Sequence, residues 1–85
     1  MFKYTDIQQR LRRQPFVPVR FVTSAGETFD VPHPDLVWVG VRDIHIGTPH
    51  KNDPRTYDHV TRLAIMHITS MVDLPVAAKT GSNGE

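Results

Sequence analysis

The sequence predicts an α+β domain that is mainly β, with one short N-terminal helix followed by a strongly bent five-stranded antiparallel sheet or a small barrel. Three observations support this prediction: the apolar spacing of the first fourteen residues, a β-hairpin whose register can be read from its turn, and β-branched side chains at six of the eighteen positions from Tyr57 to Leu74. Because the chain has 85 residues, we expect one small domain over residues 1–75. The polar, glycine-containing residues 76–85 are expected to form a disordered tail.

Composition excludes several classes of protein. The ten Lys and Arg nearly balance the nine Asp and Glu, and the absence of Cys excludes a disulfide scaffold and a thiolate zinc site. The longest purely apolar run, Leu36–Val41, is far shorter than the ~20 residues that span a bilayer. No apolar segment of a secretory signal is visible at the N-terminus. We therefore expect a cytoplasmic protein that makes no contact with a membrane.

The N-terminal segment has the pattern of a short amphipathic helix. Thr5 and Gln8 have the spacing of a capping box, while Ile7 and Leu11 are four residues apart and form an apolar stripe. Pro15 disfavours helical backbone at the residue before it, so the helix should end there or earlier. A helix this short is not stable alone in water, and we expect it to dock through its apolar stripe.

The next segment predicts a β-hairpin. Strands over Val17–Thr23 and Glu27–Val31 flank a three-residue loop in which Gly26 takes the left-handed conformation. The resulting register places apolar pairs on one face and an opposite-charge pair on the other, which is the favourable arrangement across strands. The predicted pairs are Val19 with Val31, Phe21 with Phe29, and Arg20 with Asp30.

The apolar run Leu36–Val41 lacks the alternation of a half-exposed strand. We interpret it as a strand that extends toward Ile46 and is covered on both faces, by the helix, by a loop or by another subunit, with Arg42 and Asp43 as a candidate turn or bulge. Residues 43–48 alternate again. Residues 49–55 contain two prolines and are predicted to form a polar loop.

Two interpretations of residues 57–74 remain open. The β-branched side chains favour strands over His59–Ile65 and Thr69–Leu74. The alternative is a helix over residues 57–73, because one apolar face would then collect seven side chains: Val60, Leu63, Ala64, His67, Ile68, Met71 and Val72.

Part of the sequence resembles a small bacterial family of uncharacterised proteins. The residues that carry the resemblance are Leu11-x-x-Gln14-Pro15-Phe16-x-Pro18-x-Arg20, then Gly26-x-x-Phe29-x-Val31-x-His33-Pro34. The stretch from Leu63 to Leu74 is also similar to the C-terminal part of that family. The resemblance implies a shared fold, and it implies no activity.

The order of predicted elements also resembles that of Sm-like and SH3-like barrels, in which a single helical turn joins the last two strands. Residues Met66 to Thr69 could form that turn, so this resemblance favours the strand interpretation of the C-terminal segment. The Asn and Gly signatures of Sm-type nucleotide binding are not visible. The resemblance to Sm-like barrels implies an RNA-binding protein.

The sequence contains no recognisable catalytic or metal-binding motif. The five His residues lack the local spacing of a ligand set, and prolines separate His33 from the neighbouring carboxylates Asp30 and Asp35. No serine stands in a nucleophile-elbow pattern, and no spacing brings two carboxylates together for acid–base chemistry. We therefore predict no enzyme activity, no cofactor and no bound metal.

Two features could contact a partner. The apolar run offers an interface with a protein partner or a second copy, because exposed strand edges pair readily and Trp is favoured at interfaces; its residues are Leu36, Val37, Trp38, Val39 and Val41. The first twenty residues carry five cations and one anion, and Arg10, Arg12 and Arg13 could contact an anion or a nucleic acid. We predict a non-catalytic protein-interaction or self-association module, with RNA binding as the alternative.

Overall fold

A computed structural model describes residues 1–75, with the backbone alone at residues 54 and 55. It contains one helix, six strands and two short 3-10 helices. The bounds are α1 Tyr4–Leu11, β1 Val19–Thr23, β2 Thr28–Val31, η1 Pro34–Leu36, β3 Val37–Val39, β4 Asp43–His50, β5 Asp53–Ala64, η2 Ile65–His67 and β6 Ile68–Asp73. The tail predicted to be disordered, residues 76–85, lies outside the described residues.

The helix begins two residues earlier than the predicted capping box requires. Lys3 is the N-cap, and the Asp6 carboxylate accepts a hydrogen bond of 2.8 Å from the Lys3 backbone N–H. The predicted box of Thr5 and Gln8 is therefore wrong, because the carboxylate already caps the preceding turn. Ile7 is fully buried, and Leu11 packs against the same core, so the helix docks through the predicted stripe.

The hairpin of β1 and β2 has the predicted register. Val19 faces Val31, Arg20 faces Asp30 and Phe21 faces Phe29. Gly26 has a φ of 83°, the left-handed conformation that a three-residue loop needs. The glycine of the turn and the cross-strand pairs were therefore sufficient to predict the register of this hairpin.

The apolar run does not form one strand, and the predicted count of five strands is wrong. Leu36 closes η1, β3 covers only Val37–Val39, and the chain then reverses into β4. The Gly40 N–H donates to the Asp43 carbonyl over 2.8 Å, which closes a turn with Val41 and Arg42 at its tip. The candidate turn at Arg42 and Asp43 is thus present, and it divides the strand that was expected to extend toward Ile46 into two antiparallel strands.

The predicted loop at residues 49–55 is also largely strand. β4 continues to His50 and β5 begins at Asp53, so that only Lys51 and Asn52 connect them. The register shifts on both sides of Pro49, because an irregular ladder accommodates a residue without an N–H. The predicted alternation of residues 43–48 is confirmed, with Ile44 and Ile46 buried and His45 exposed.

Residues 57–74 form strands, and the helical alternative for residues 57–73 is wrong. β5 ends at Ala64, the single turn η2 follows, and β6 begins at Ile68. The β-branched side chains decide the outcome, because they fit a sheet better than a helix. The turn lies one residue before the predicted position.

The described strands form two antiparallel three-stranded sheets and no closed barrel. The first sheet has the order β2-β1-β6, and the second has the order β3-β4-β5. The inner faces of both sheets and one face of α1 meet in a single core of ten buried residues, of which Phe21 is the largest fully buried side chain. Each sheet therefore has an outer face and two edges, and these determine which surfaces a partner could contact.

Candidate interaction surface

Trp38 lies on the outer face of the second sheet, although it is in the middle of the apolar run. Its strand neighbours Val37 and Val39 point toward the core, opposite Ile46 and Ile44. Since side chains alternate along a strand, Trp38 points outward and 45% of it remains exposed. The expectation that both faces of this segment are covered therefore fails at its largest side chain.

Tyr57 and Val60 extend this outer apolar surface. The Trp38 and Tyr57 rings meet edge to face, with centroids 5.6 Å apart, a favourable geometry for an aromatic pair. Val60 stands opposite Gly47 in the register of β4 and β5. Tyr57 is 48% exposed and Val60 42% exposed. We call Trp38, Tyr57 and Val60 the outer-face cluster.

Gly47 makes this arrangement possible. A Cβ atom at position 47 would lie 2.8 Å from the Cβ of Tyr57 and 3.4 Å from a methyl group of Leu36. Only a residue without a side chain leaves room for Tyr57 so close to β4. The cluster therefore depends on a glycine that the sequence alone did not mark.

Charged side chains border the cluster along β5. Arg62 donates from Nε to Asp43 over 2.7 Å, yet 73% of its side chain is exposed. Asp58 lies 3.7 Å from Nε2 of His50, and about half of its side chain is exposed. An anion and a cation thus lie on either side of Val60 in the sequence, and both are accessible to a partner.

β5 is an edge strand. Its described partner is β4, and residues 56–60 are all exposed. In a strand that is covered on one face, alternate residues would be buried, so this part of β5 extends past the core. It offers unpaired backbone groups beside apolar side chains, a combination that favours pairing with another strand.

The predicted interface residues lie on different surfaces. Val37 belongs to the core and Val39 packs against it, whereas Leu36 is buried outside that core, with a methyl group beside Gly47. Trp38 belongs to the outer-face cluster. Val41 is exposed at the tip of the β3–β4 turn, beside a separate groove whose other lining residues are Met1, Phe2, Arg42, Ile65 and Met66.

The three arginines that were predicted to contact an anion also have different surroundings. Arg10 and Arg13 both donate to the Asp73 carboxylate at the end of β6, over distances of 2.8 to 3.1 Å. Arg12 is the C-cap of the helix and is exposed. Two of the arginines therefore hold α1 against the first sheet, and Arg12 is the one that faces solvent.

The two arginine–carboxylate contacts of the first sheet shift pKa values. The hydrogen bond from Arg13, followed by the charges of Arg13 and Arg10, holds the pKa of Asp73 below its ordinary value. The bidentate hydrogen bond from Arg20 lowers the pKa of Asp30 in the same way. Both carboxylates are therefore ionised at neutral pH.

The described residues assemble no cluster of metal-ligating side chains. No three His, Asp or Glu side chains of residues 1–75 come close enough together to hold a metal ion. His50 and His59 contact side chains on the β4–β5 hairpin, Asp58 and Thr48 respectively. His67 is exposed in η2.

Sequence reasoning missed Tyr57 and Val60. Their proximity to Trp38 depends on the β4–β5 register, which the assignment of residues 49–55 to a loop concealed. Pro49 lies within an irregular part of the ladder and not in a loop. The β-branched side chains from Val60 onward indicate a strand, but they do not determine how it pairs with β4.

Comparison of the chain with protein-family models, with curated proteins and with solved structures finds no match. Within residues 1–75, α1 is the longest helix, and no helix there has the length and apolarity to cross a membrane.

Proposed function

We propose that this protein is a non-catalytic self-association module that uses the outer-face cluster and the adjoining edge of β5. The cluster is the observation that carries the proposal, because three large apolar side chains are each 42% to 48% exposed on one face. Contiguous apolar surface of this kind marks interaction sites, and Trp and Tyr are the residues most often dominant in binding.

The size of the chain supports the same function. A domain of this length buries only about 60% of its unfolded surface, so its core is small. Association with another copy adds buried area and stabilises the folded state through mass action. The protein gains stability from a partner that presents the same surface.

We further propose that the two sheets are arranged as in Sm-like and SH3-like barrels. Three features support this finer assignment: the first strand lies between the second and the last, the 3-10 turn η2 stands just before the last strand, and a helix precedes the sheet. The irregular segment from Pro32 to Leu36 would then be the bend of one long strand that joins both sheets.

The experiment is light scattering coupled to size exclusion, carried out from about 10 μM to about 1 mM. We expect the mass to rise from one copy to a defined oligomer. A variant with Tyr57→Ser and Val60→Ser should remain monomeric. The matched control carries Val41→Ser and Val72→Ser, two exposed apolar side chains outside the cluster, and should associate normally. A wild-type chain that stays monomeric throughout contradicts the proposal.

RNA binding of the Sm-like type is a second candidate, favoured by the exposed Arg12 beside the basic helix and by the strand order. It predicts affinity for single-stranded RNA that falls as salt rises, because phosphate contacts release counterions. Arg12→Ala should weaken binding, whereas Arg42→Ala, at another exposed arginine, should not. The absence of binding at low salt would exclude this function.

A further inference from the structure

We propose that two copies of this chain form a symmetric dimer in which the edge of β5 pairs antiparallel with the same edge of the second copy, centred on Val60. This inference rests on the proposed self-association and names its geometry. The two second sheets would join into one sheet of six strands around a twofold axis.

The backbone of β5 is oriented for this pairing. The Ile65 N–H donates to the Arg42 carbonyl over 2.9 Å, so residue 65 bonds toward the β4 side. Backbone groups alternate sides along an antiparallel strand, and residues 63 and 61 therefore also bond toward β4. Val60 and Arg62 direct their N–H and C=O groups to the open edge, and Val60 can exchange both bonds with Val60 of the second copy.

The charged side chains of β5 also favour a pairing that is centred on Val60. Antiparallel pairing about Val60 places Asp58 opposite Arg62 of the second copy, and Arg62 opposite the second copy's Asp58. Opposite charges directly across two strands are stabilising, and like charges are destabilising. Both side chains are at least half exposed, and the twofold axis produces this favourable pair twice.

The apolar surface is continuous across the same axis. Val60 is 42% exposed and would pack against Val60 of the second copy. The register shift beside Pro49 leaves one extra residue in β5 between His59 and Tyr57, so Tyr57 stays on the face of Val60 and the two outer-face clusters would meet on one side of the joined sheet. The pairing therefore covers the edge that the single chain leaves open.

A charge-exchange experiment on the full-length chain tests this register. Asp58→Arg places two cations where the wild type has a complementary pair, and Arg62→Asp places two anions there. We expect each variant alone to associate at least tenfold more weakly than the wild type. An equimolar mixture of the two should form a mixed dimer with close to wild-type affinity, because each cation then faces an anion.

A second pair of variants tests the edge itself. Val60→Asp brings two carboxylates together at the twofold axis and should abolish the dimer. Val72→Asp makes the same change at a β6 residue of similar exposure, and it should leave the dimer intact. Circular dichroism of both variants establishes that they are folded.

The outcomes separate this inference from the proposed function. If the wild type associates but the mixture of charge variants does not recover the dimer, the β5 register is wrong and self-association stands. If Val72→Asp disrupts the oligomer and Val60→Asp does not, the interface uses the first sheet instead, which also overturns the inference. A wild type that is monomeric overturns both proposals.

Discussion

At the scale of single residues, Gly47 determines whether the outer-face cluster can form. The space that its missing side chain leaves is occupied by Tyr57, which in turn contacts Trp38. The surface is thus built from a small residue on one strand and a large residue on the next. Changing either one should alter the other's surroundings.

We predict that Gly47→Ala lowers the free energy of unfolding by about 1–3 kcal/mol, the usual cost of overpacking. The added methyl group would lie 2.8 Å from the Tyr57 Cβ, so Tyr57 must move and the Trp38 fluorescence should change. Urea denaturation and emission spectra measure the two effects. Unchanged stability together with an unchanged spectrum would refute the packing described.

Gly26 provides a contrasting case, because no atom lies within 4 Å of a Cβ built there. Its φ of 83° is strained for residues with a side chain, so Gly26→Ala should cost about 1 kcal/mol through the backbone alone. Gly26→Asn should cost less, since Asn tolerates the left-handed region. If Gly26→Ala and Gly26→Asn lower the free energy of unfolding equally in urea denaturation, position 26 does not have the left-handed conformation.

At the scale of elements, α1 is attached at two kinds of contact, an apolar one within the core and a charged one at the end of β6. Ile7 supplies the first and is fully buried. Arg10 and Arg13 supply the second by sharing the Asp73 carboxylate. These two attachments can be tested independently.

The apolar attachment should dominate stability. We predict that Ile7→Ala lowers the free energy of unfolding by about 2–5 kcal/mol, the range for truncating a buried aliphatic side chain. Val41→Ala, at a residue that is 70% exposed, should change it by less than about 0.5 kcal/mol. Equal effects of the two variants in urea denaturation would mean that α1 is not docked.

The charged attachment should appear in the pH dependence of stability. The pKa of Asp73 is lowered in the folded chain, so its carboxylate stabilises the fold above the ordinary pKa of about 4. This stabilisation is lost as the pH falls through the lower, folded-state value. Asp73→Asn should therefore reduce stability at pH 7 and converge with the wild type in acid. A stability difference that persists at pH 2 would contradict the contact.

The sequence predicts an element well when the residues that determine it are close together in the chain. The β1–β2 register followed from Gly26 and from two apolar pairs around it, all within one hairpin. The sequence offers Arg42 and Asp43 as a candidate turn, but it does not show that the chain reverses there, because the reversal depends on Ile44 and Ile46 pairing with the preceding strand. The same limit applies to the candidate site, since Trp38 meets Tyr57 only through strand β4 between them.

The first twenty residues carry five cations and one anion, but the structure pairs most of these cations with carboxylates of the same chain. Arg10, Arg13 and Arg20 each bind a carboxylate of the first sheet. An excess of cations in the sequence therefore became, in large part, intramolecular ion pairs. Only spatial information could show that Asp73 lies beside residues sixty or more positions away.

At the scale of the whole molecule, self-association links stability to protein concentration. A second copy that binds only the folded chain stabilises it, so the melting temperature should rise with concentration. Scanning calorimetry at about 10 μM and about 1 mM measures the shift. Val60→Asp should show no such dependence. A wild-type melting temperature that is independent of concentration would argue against a dimer.

The shared carboxylate of Asp73 also has a consequence for how the chain folds during synthesis. α1 leaves the ribosome before its charged partner and before the β6 strand that lies beside β1. Contacts between such distant segments form only after the residues between them have been synthesised, and they slow the folding reaction. The first sheet therefore closes only once β6 has been synthesised, and until then β1 has β2 alone as a partner in its sheet.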